Sequence, residues 1–386
     1  MSTLLEGLFN GLSIGSVLLI AALGLAIVFG LMGVINLAHG ELIMLGAYAT
    51  FVVQNIFKPL GEPWFSLYIV VAIPVAFIVS AIMGIILERG AIRFLYGRPL
   101  ETLLATWGVS LILQQFVRSV SWLLFISLGI FCLLFFGGME IVKRREDWAR
   151  LKHKALSLLL VLSGGIAIAF YYLFNKNSAL TKPWFSARNV DVTAPAWLRG
   201  GTDALGFQIP YVRLFIIGLT LLCLLGVYWF LQRSTWGLKI RAVTQNRTMS
   251  SCLGIPTDKV DALTFALGSG LAGIAGCAVS LLGSVGPNTG QNYIVDTFMV
   301  VVVGGVGNLL GTVIAAMGIG ILNYLIGSGT LALLLTNLKA PQSLLDFWFF
   351  FATSSMAKVM VFALIIIFLQ IKPAGLFPQK GRTAEL

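Results

Sequence analysis

Three polar residues stand close together in an otherwise apolar part of the sequence. Asn36, His39 and Glu41 place an amide, an imidazole and a carboxylate within one short segment. They lie at the end of the run Gly7–Gly40, which contains no Asp, Glu, Lys or Arg. Ionisable groups at membrane depth are costly and commonly mark a transport path or a proton relay. The pattern therefore favours a substrate path, with a purely structural break in the chain as the alternative.

A second isolated charge, Asp296, lies in the long apolar run Ala262–Leu338. It precedes four consecutive valines and the glycine-rich segment at residues 304–308. β-Branched residues followed by glycines are typical of a short helix that ends in a tight turn. We assign Asp296 to the path on this pattern. The alternative is an aspartate at a helix start near the membrane interface.

The polar stretch Arg233–Asp261 is too hydrophilic to cross a membrane. Its centre carries Arg241 and Arg247, and Gly254 is suited to end a short helix because glycine accepts a positive φ. A solvated loop and a docking helix for a cytosolic partner are both compatible with this composition.

Several kinds of chemistry are excluded by what the sequence lacks. Two histidines and four widely separated cysteines provide neither a histidine-rich metal centre nor a CxxC pair. No lysine is followed by Ser or Thr, so a GxxxxGK[ST] phosphate-binding loop is absent. We therefore expect no catalytic residue, no metal and no cofactor in this chain.

The composition defines the class of protein. Hydrophobic residues make up 58% of the 386 residues and charged residues only 11%, with a mean hydropathy of +0.94. Soluble domains carry about 25% charged residues, so this balance excludes a soluble globular protein, a disordered chain and a nucleic-acid-binding module. The net charge of +11 comes mainly from lysines and arginines between the apolar runs, as in the loops of membrane proteins.

The long apolar runs predict an all-α, polytopic transmembrane helical bundle of about eleven spans, including broken helices. The run Gly7–Gly40 is too long for one crossing at about 1.5 Å per residue, so we expect a turn near Gly30–Asn36. The run Ala262–Leu338 has room for about three crossings. If the N-terminus is outside, 17 of the 26 basic residues are cytoplasmic, as the positive-inside rule requires. We therefore predict a protein of the inner (plasma) membrane whose C-terminus is in the cytoplasm.

Small residues provide a further packing signal. Glycine is enriched, at 42 of 386 residues. Gly268, Ala272 and Gly276 form a small-xxx-small stripe, which is typical of membrane helices that approach each other closely.

The sequence resembles the permeases of ABC importers for branched-chain amino acids and related solutes. The resemblance is carried by INLAHGE at residues 35–41, GGVGN at residues 304–308 and the stretch Ser234–Ile255. Within that family the chain is most similar to urea-importer permeases, through ETLLATWGVSLILQQ at residues 101–115 and ARNVDVTAPAWL at residues 187–198.

This resemblance implies a permease subunit that forms the path for urea and is driven by separate ATPases. The implied partners are a second permease subunit, two cytosolic ATPase subunits that bind the ATP, an extracytoplasmic solute-binding protein and membrane lipid. It also implies that Arg241, Arg247, Met249 and Gly254 belong to a cytoplasmic coupling loop at residues 233–261. A branched-chain amino-acid permease is the first alternative, and a stand-alone channel or secondary transporter is the second.

Neutral hydrogen-bonding side chains suit urea, which is small and uncharged. Thr102, Gln114 and Gln115 supply hydroxyl and amide groups, and we add them with Asn36 to the predicted path.

Residues 121–185 interrupt the family pattern in what is otherwise a single permease domain over residues 1–386. Two apolar runs, Ser119–Met139 and Ala155–Asn175, flank a basic segment. We predict an inserted two-helix hairpin, and an even number of added spans leaves the orientation of the downstream chain unchanged.

Overall fold

The computed structural model describes residues 2–143, 148–175, 178–182, 184–185, 188–204, 207–337 and 341–377. Part of the basic segment predicted to join the two inserted spans, at residues 144–147, lies outside these described residues. Nearly all regular structure in the described chain is helical.

The helices follow one another along the chain with short connections. They are α1 (Ser2–Met32), α2 (His39–Phe57), α3 (Trp64–Gly90), α4 (Pro99–Ser119), α5 (Trp122–Lys143), α6 (Trp148–Phe174), α7 (Ser178–Thr181), α8 (Tyr211–Arg233), α9 (Thr235–Gln245), α10 (Arg247–Cys252), α11 (Thr257–Leu282), α12 (Thr289–Gly304), α13 (Leu309–Gly327), α14 (Thr330–Asn337), α15 (Gln342–Phe351) and α16 (Ser354–Ile371). Two short strands, β1 (Gly201–Ala204) and β2 (Phe207–Pro210), pair antiparallel before α8, with Gly201 opposite Pro210.

Nine helices of the described chain are long and apolar enough to cross a membrane, or up to ten spans if α15 and α16 are counted as one bent span. The prediction of a polytopic all-α bundle is therefore confirmed, with nine or ten such spans where the sequence predicts about eleven. The difference lies in Ala262–Leu338, where α11 and α13 meet this criterion but α12 has only 16 residues. A helix of that length rises about 24 Å, short of a hydrocarbon core of about 30 Å.

The chain forms two compact units. The first comprises Met1–Leu111 with Val190–Leu386, and the second comprises Ile112–Asn189. In the second unit, α5 and α6 pack along one another and α7 contacts α5. Two helices thus occupy the range in which the sequence predicts a hairpin, and its status as an insertion remains a prediction.

In the first unit, α1 and α11 are the central helices. Their most apolar stretches are 83% and 78% buried, compared with 28% for α3. A helix that is apolar on all sides gains stability only where neighbours surround it, and α11 is accordingly packed against α1, α2 and α3.

Glycines set the spacing between these central helices. A Cβ atom on Gly276 would lie only 2.0 Å from the backbone oxygen of Ile43, and one on Gly268 would lie 2.6 Å from that of Gly24. The small-residue stripe of α11 therefore does what its spacing indicates, since it brings α1 and α2 into backbone contact with α11.

Candidate translocation site and coupling segment

The chain turns between α1 and α2, where the length of the apolar run predicts a turn. α1 ends at Met32, Gly33 follows with φ of 69°, and α2 begins at His39. The Asn36 side-chain oxygen accepts a hydrogen bond from the Ala38 backbone N–H at 3.0 Å. This contact closes the turn and satisfies one of the backbone donors at the start of α2.

The polar groups of this turn are buried in the first unit. Asn36, His39 and Glu41 are each at most 1% exposed. His39 Nε2 lies 3.0 Å from the carbonyl oxygen of Ala21 on α1, and the Ser110 hydroxyl of α4 donates to Glu41 Oε1 at 3.0 Å. The side-chain nitrogen of Asn36 and Nδ1 of His39 have no hydrogen-bond partner among the described residues. Such orphan donors or acceptors are costly in an apolar interior.

Thr102 does not join this group. Its hydroxyl contacts the carbonyl oxygens of Leu95 at 3.0 Å and Arg98 at 2.8 Å. Thr102 therefore ties the start of α4 to the turn that precedes it.

Thr106, one helical turn later, takes the position expected of Thr102. Its hydroxyl oxygen accepts a hydrogen bond from the Leu37 backbone N–H at 3.2 Å, and Ser110 follows at the next turn with its bond to Glu41. The i, i+4 spacing of Thr102, Thr106 and Ser110 places three hydroxyls on one helix face. That spacing is the sequence signal for Thr106 and Ser110, which the sequence analysis missed.

Gln114 and Gln115 belong to the second unit, in the last turns of α4. Gln114 is buried, whereas Gln115 is exposed. Adjacent helical residues point about 100° apart, so the two amides do not serve one face.

A cavity of about 450 Å³ with both polar and apolar lining opens within the first unit, among α1, α8, α11, α12, α13 and α16. Its polar lining comprises Ser13, Arg213, Tyr293, Asp296, Asn323, Tyr324, Ser328 and Lys358. These residues are widely separated in the sequence, and only Asp296 was predicted as a site residue.

Asp296 lies in the middle of α12, not at a helix start. Its side chain is 7% exposed, and its Oδ2 accepts a hydrogen bond from Nζ of Lys358 on α16 at 2.9 Å. Lys358 is 39% exposed, and its Nζ also lies 3.5 Å from the Asn292 carbonyl oxygen. The buried carboxylate is thus neutralised by a cation that retains contact with the outside of the protein.

Arg213 brings a second cation to the cavity. Its guanidinium donates to the side-chain oxygen of Asn10, and its Cζ atom lies 6.0 Å from the ring centroid of Tyr324. The Asn10 amide in turn donates to the Tyr324 hydroxyl at 2.8 Å. Together with Asp296 and Lys358, Arg213 leaves the cavity with one excess positive charge.

The polar stretch between α8 and α11 folds into α9 and α10. Asn246 caps α10 by accepting a hydrogen bond from the Met249 backbone N–H at 3.0 Å, and Gly254 follows the helix with φ of 78°. Met249 is 62% exposed and Leu253 is 80% exposed. The predicted short helix ended by Gly254 is therefore present, and it displays apolar side chains.

The two arginines of this segment make contacts within the chain. Arg241 donates to the side-chain oxygen of Gln232. Arg247 pairs with Asp261 at 2.7 Å, lies 3.8 Å from Asp258, and stacks over Tyr96 with its Cζ 4.8 Å from the ring centroid. Arg247 therefore connects α10 to the first turns of α11 and to the turn that precedes α4.

Tyr96 lies outside the membrane-spanning helices, and burial raises the pKa of its hydroxyl above the ordinary value. It stays neutral and provides an aromatic face for the Arg247 guanidinium. In the described part of the chain, no group of three or more His, Cys, Asp or Glu side chains is arranged to hold a metal.

Apolar helices around a buried polar break and a charged cavity define a polytopic membrane protein. The chain belongs to the family described as branched-chain amino acid transport system / permease component, whose model matches residues 7–369. The match and the apolar helices together make it a multi-pass protein of the inner membrane.

Two curated relatives match most of this chain, and a third matches about a third of it. The high-affinity branched-chain amino acid permease protein BraD of Pseudomonas aeruginosa is 26% identical over 319 residues, covering 82% of this chain and 84% of BraD. The corresponding LivH of Salmonella typhimurium is 25% identical over 374 residues, covering 96% and 94%. The ribose import permease RbsC of Haemophilus influenzae is 32% identical over 127 residues, covering 31% and 37%. No solved structure shows a significant match.

Proposed function

We propose that the chain is the membrane-spanning permease subunit of an ABC importer and that it conducts branched-chain amino acids. The observation that carries this proposal is the family match over residues 7–369. It is supported by relatives named as branched-chain amino acid permeases that align with four-fifths or more of the chain.

Urea, the substrate that the sequence resemblance favours, becomes the second candidate. The similarity of residues 101–115 and 187–198 to urea-importer permeases is the specific observation that supports it. The family match and the names of the relatives support an amino acid better than they support urea.

Transport energy comes from partner subunits in this proposal, because the sequence lacks a phosphate-binding loop. ATP binds to two cytosolic ATPases, and the chain itself carries no cofactor and no catalytic activity. A second permease subunit and an extracytoplasmic solute-binding protein complete the importer, as in the family that the sequence resembles.

The segment α9–α10 is the contact for an ATPase. Met249 on α10 and Leu253 just after it have exposed apolar side chains. Neighbouring apolar side chains exposed on a polar segment are typical of a surface that a partner protein covers. This assignment places α9 and α10 in the cytoplasm and the β1–β2 hairpin outside, in agreement with the distribution of basic residues.

Reconstitution tests the proposal directly. The chain is placed in proteoliposomes with its cognate permease, ATPases and binding protein, and uptake of labelled L-leucine and labelled urea is measured with and without ATP. We expect ATP-dependent uptake of leucine. ATP-dependent uptake of urea without leucine would favour the second candidate, and uptake by the chain alone without ATP would indicate a channel or secondary transporter.

A further inference from the structure

We propose that the cavity among α1, α8, α11, α12, α13 and α16 is a binding site for a zwitterionic α-amino acid. Arg213 receives the α-carboxylate, and Asp296 receives the α-ammonium in place of Lys358. The inference rests on the proposed function, since it assumes that the substrate enters this bundle.

The size and position of the cavity fit a small ligand. Its volume of about 450 Å³ lies within the range of about 300–1,000 Å³ that is typical of ligand pockets. Ile14, Leu18 and Leu282 form apolar parts of its lining. An aliphatic side chain can therefore lie against apolar atoms while the charged end of the same ligand reaches the polar groups.

Asp296 offers a charge that a ligand can use. A carboxylate with a side chain only 7% exposed needs a positively charged partner, and Lys358 provides it at 2.9 Å. An α-ammonium group carries the same charge and the same number of N–H donors as the lysine head group. Because Lys358 is 39% exposed, its head group has room to move away from Asp296 when a ligand ammonium takes its place.

Arg213 offers the complementary charge. The hydrogen bond to Asn10 uses one of its two terminal nitrogens, and a guanidinium has five N–H donors in a planar fork. That fork matches a carboxylate in two parallel hydrogen bonds. The Tyr324 ring beneath the guanidinium and the Asn10–Tyr324 hydrogen bond hold the fork in place.

An orphan hydroxyl supports the assignment independently. Ser13 lines the cavity, is fully buried at 0% exposure, and its Oγ has no hydrogen-bond partner among the described residues. A buried hydroxyl without a partner is unfavourable, and a polar ligand would relieve that cost if the Ser13 side chain turned its Oγ atom into the cavity. Urea could satisfy Ser13, but it carries neither of the charges that Arg213 and Asp296 are placed to receive.

Ligand selectivity provides the test. Binding to the purified, assembled complex is measured by thermal-shift titration with L-leucine, with 4-methylpentanoate, which lacks the ammonium, and with 3-methylbutylamine, which lacks the carboxylate. We expect Asp296→Asn to weaken leucine binding at least tenfold and to leave 4-methylpentanoate binding within twofold of wild type. We expect Arg213→Gln to weaken leucine binding by a similar factor and to spare the amine.

Two further variants distinguish a binding site from a structural ion pair. Lys358→Met removes the competitor for Asp296, so leucine should bind more tightly than to wild type, whereas a purely structural pair predicts only loss of stability. Arg199→Gln is the matched control, because Arg199 is exposed and contacts a loop carbonyl outside the cavity.

The outcomes separate this inference from the proposed function. Leucine uptake that depends on ATP, combined with unchanged leucine binding in Asp296→Asn and Arg213→Gln, would overturn the site and leave the function standing. Wild-type uptake of urea without leucine would overturn both. If Asp296→Asn does not assemble, it is replaced by Asp296→Glu, which keeps the charge. Lys358→Met then decides the test. If this variant loses its selectivity for leucine over 4-methylpentanoate, the site is refuted.

Discussion

A single methyl group at Gly276 should separate two of the central helices. A Cβ atom there would lie 2.0 Å from the Ile43 oxygen and 2.7 Å from the Ala47 nitrogen, both in the backbone of α2. Ordinary van der Waals contact for such an atom begins at 3.4 Å, so α11 and α2 must move apart to admit it. Neither clashing atom belongs to a flexible side chain, so rotamer changes cannot relieve the overlap.

The expected cost follows from that displacement. Overpacking of a closely packed interior typically costs about 1–3 kcal/mol. The neighbouring contact, where a Cβ on Gly46 would lie 2.2 Å from the Gly273 oxygen, would open at the same time and lose its packing. We therefore expect Gly276→Ala to lower the free energy of unfolding by about 1–3 kcal/mol, which corresponds to a fall of several degrees in the unfolding temperature.

The assay is thermal unfolding of the purified protein in detergent, followed by fluorescence-detected size exclusion. Gly226→Ala on α8 is the matched control, because no atom lies within 4 Å of a Cβ at that position. Alanine is favoured over glycine in a helix by about 0.5–1 kcal/mol, so the control should be neutral or slightly stabilised. An unfolding temperature for Gly276→Ala equal to or above that of Gly226→Ala would refute the reasoning.

Three further predictions concern the path, the coupling segment and the orientation. Asn36→Ala should lower substrate flux per assembled complex, because it removes an amide whose nitrogen is buried without a partner among the described residues at the α1–α2 turn. Arg247→Gln should retain the ATPase in co-purification but reduce transport per ATP hydrolysed several-fold, because its ion pair with Asp261 joins α10 to α11. In a chain without native cysteines, single cysteines are placed at Asp203 or Lys239 and an impermeant thiol reagent is added to intact cells. The cysteine at Asp203 should be labelled, and the cysteine at Lys239 should be protected.

Each of these three predictions has an opposing outcome. Unchanged flux per complex in Asn36→Ala, with less folded protein, would make the turn purely structural. Arg93→Gln is the control for Arg247→Gln, because Arg93 pairs with Asp258 at the same end of α11. If Arg247→Gln loses the ATPase in co-purification and Arg93→Gln does not, Arg247 is a docking contact. Labelling at Lys239 without labelling at Asp203 would reverse the orientation.

The turns and ends of the helices can be predicted from the sequence, because they depend on residues that are close together in the chain. The thickness of a bilayer limits the length of a spanning helix, so the charge-free run Gly7–Gly40 had to turn, and it turns at Gly33. Asn246 and Gly254 bound the short helix α10 for equally local reasons, namely a side-chain cap and a positive φ. The polytopic all-α class also follows from the number and length of the apolar runs in the sequence.

The tertiary structure decided which polar groups meet. Lys358 and Asp296 are 62 residues apart in the sequence, and Arg213 and Asn10 are 203 residues apart. A local sequence pattern therefore predicts neither contact. Helix packing also selected Thr106 rather than Thr102 as the α4 hydroxyl that faces the α1–α2 turn. The length of an apolar run determines the span of a single helix. The neighbours of a polar side chain depend instead on how closely several helices approach one another. In this protein, glycine contacts between helices distant in the sequence set that approach.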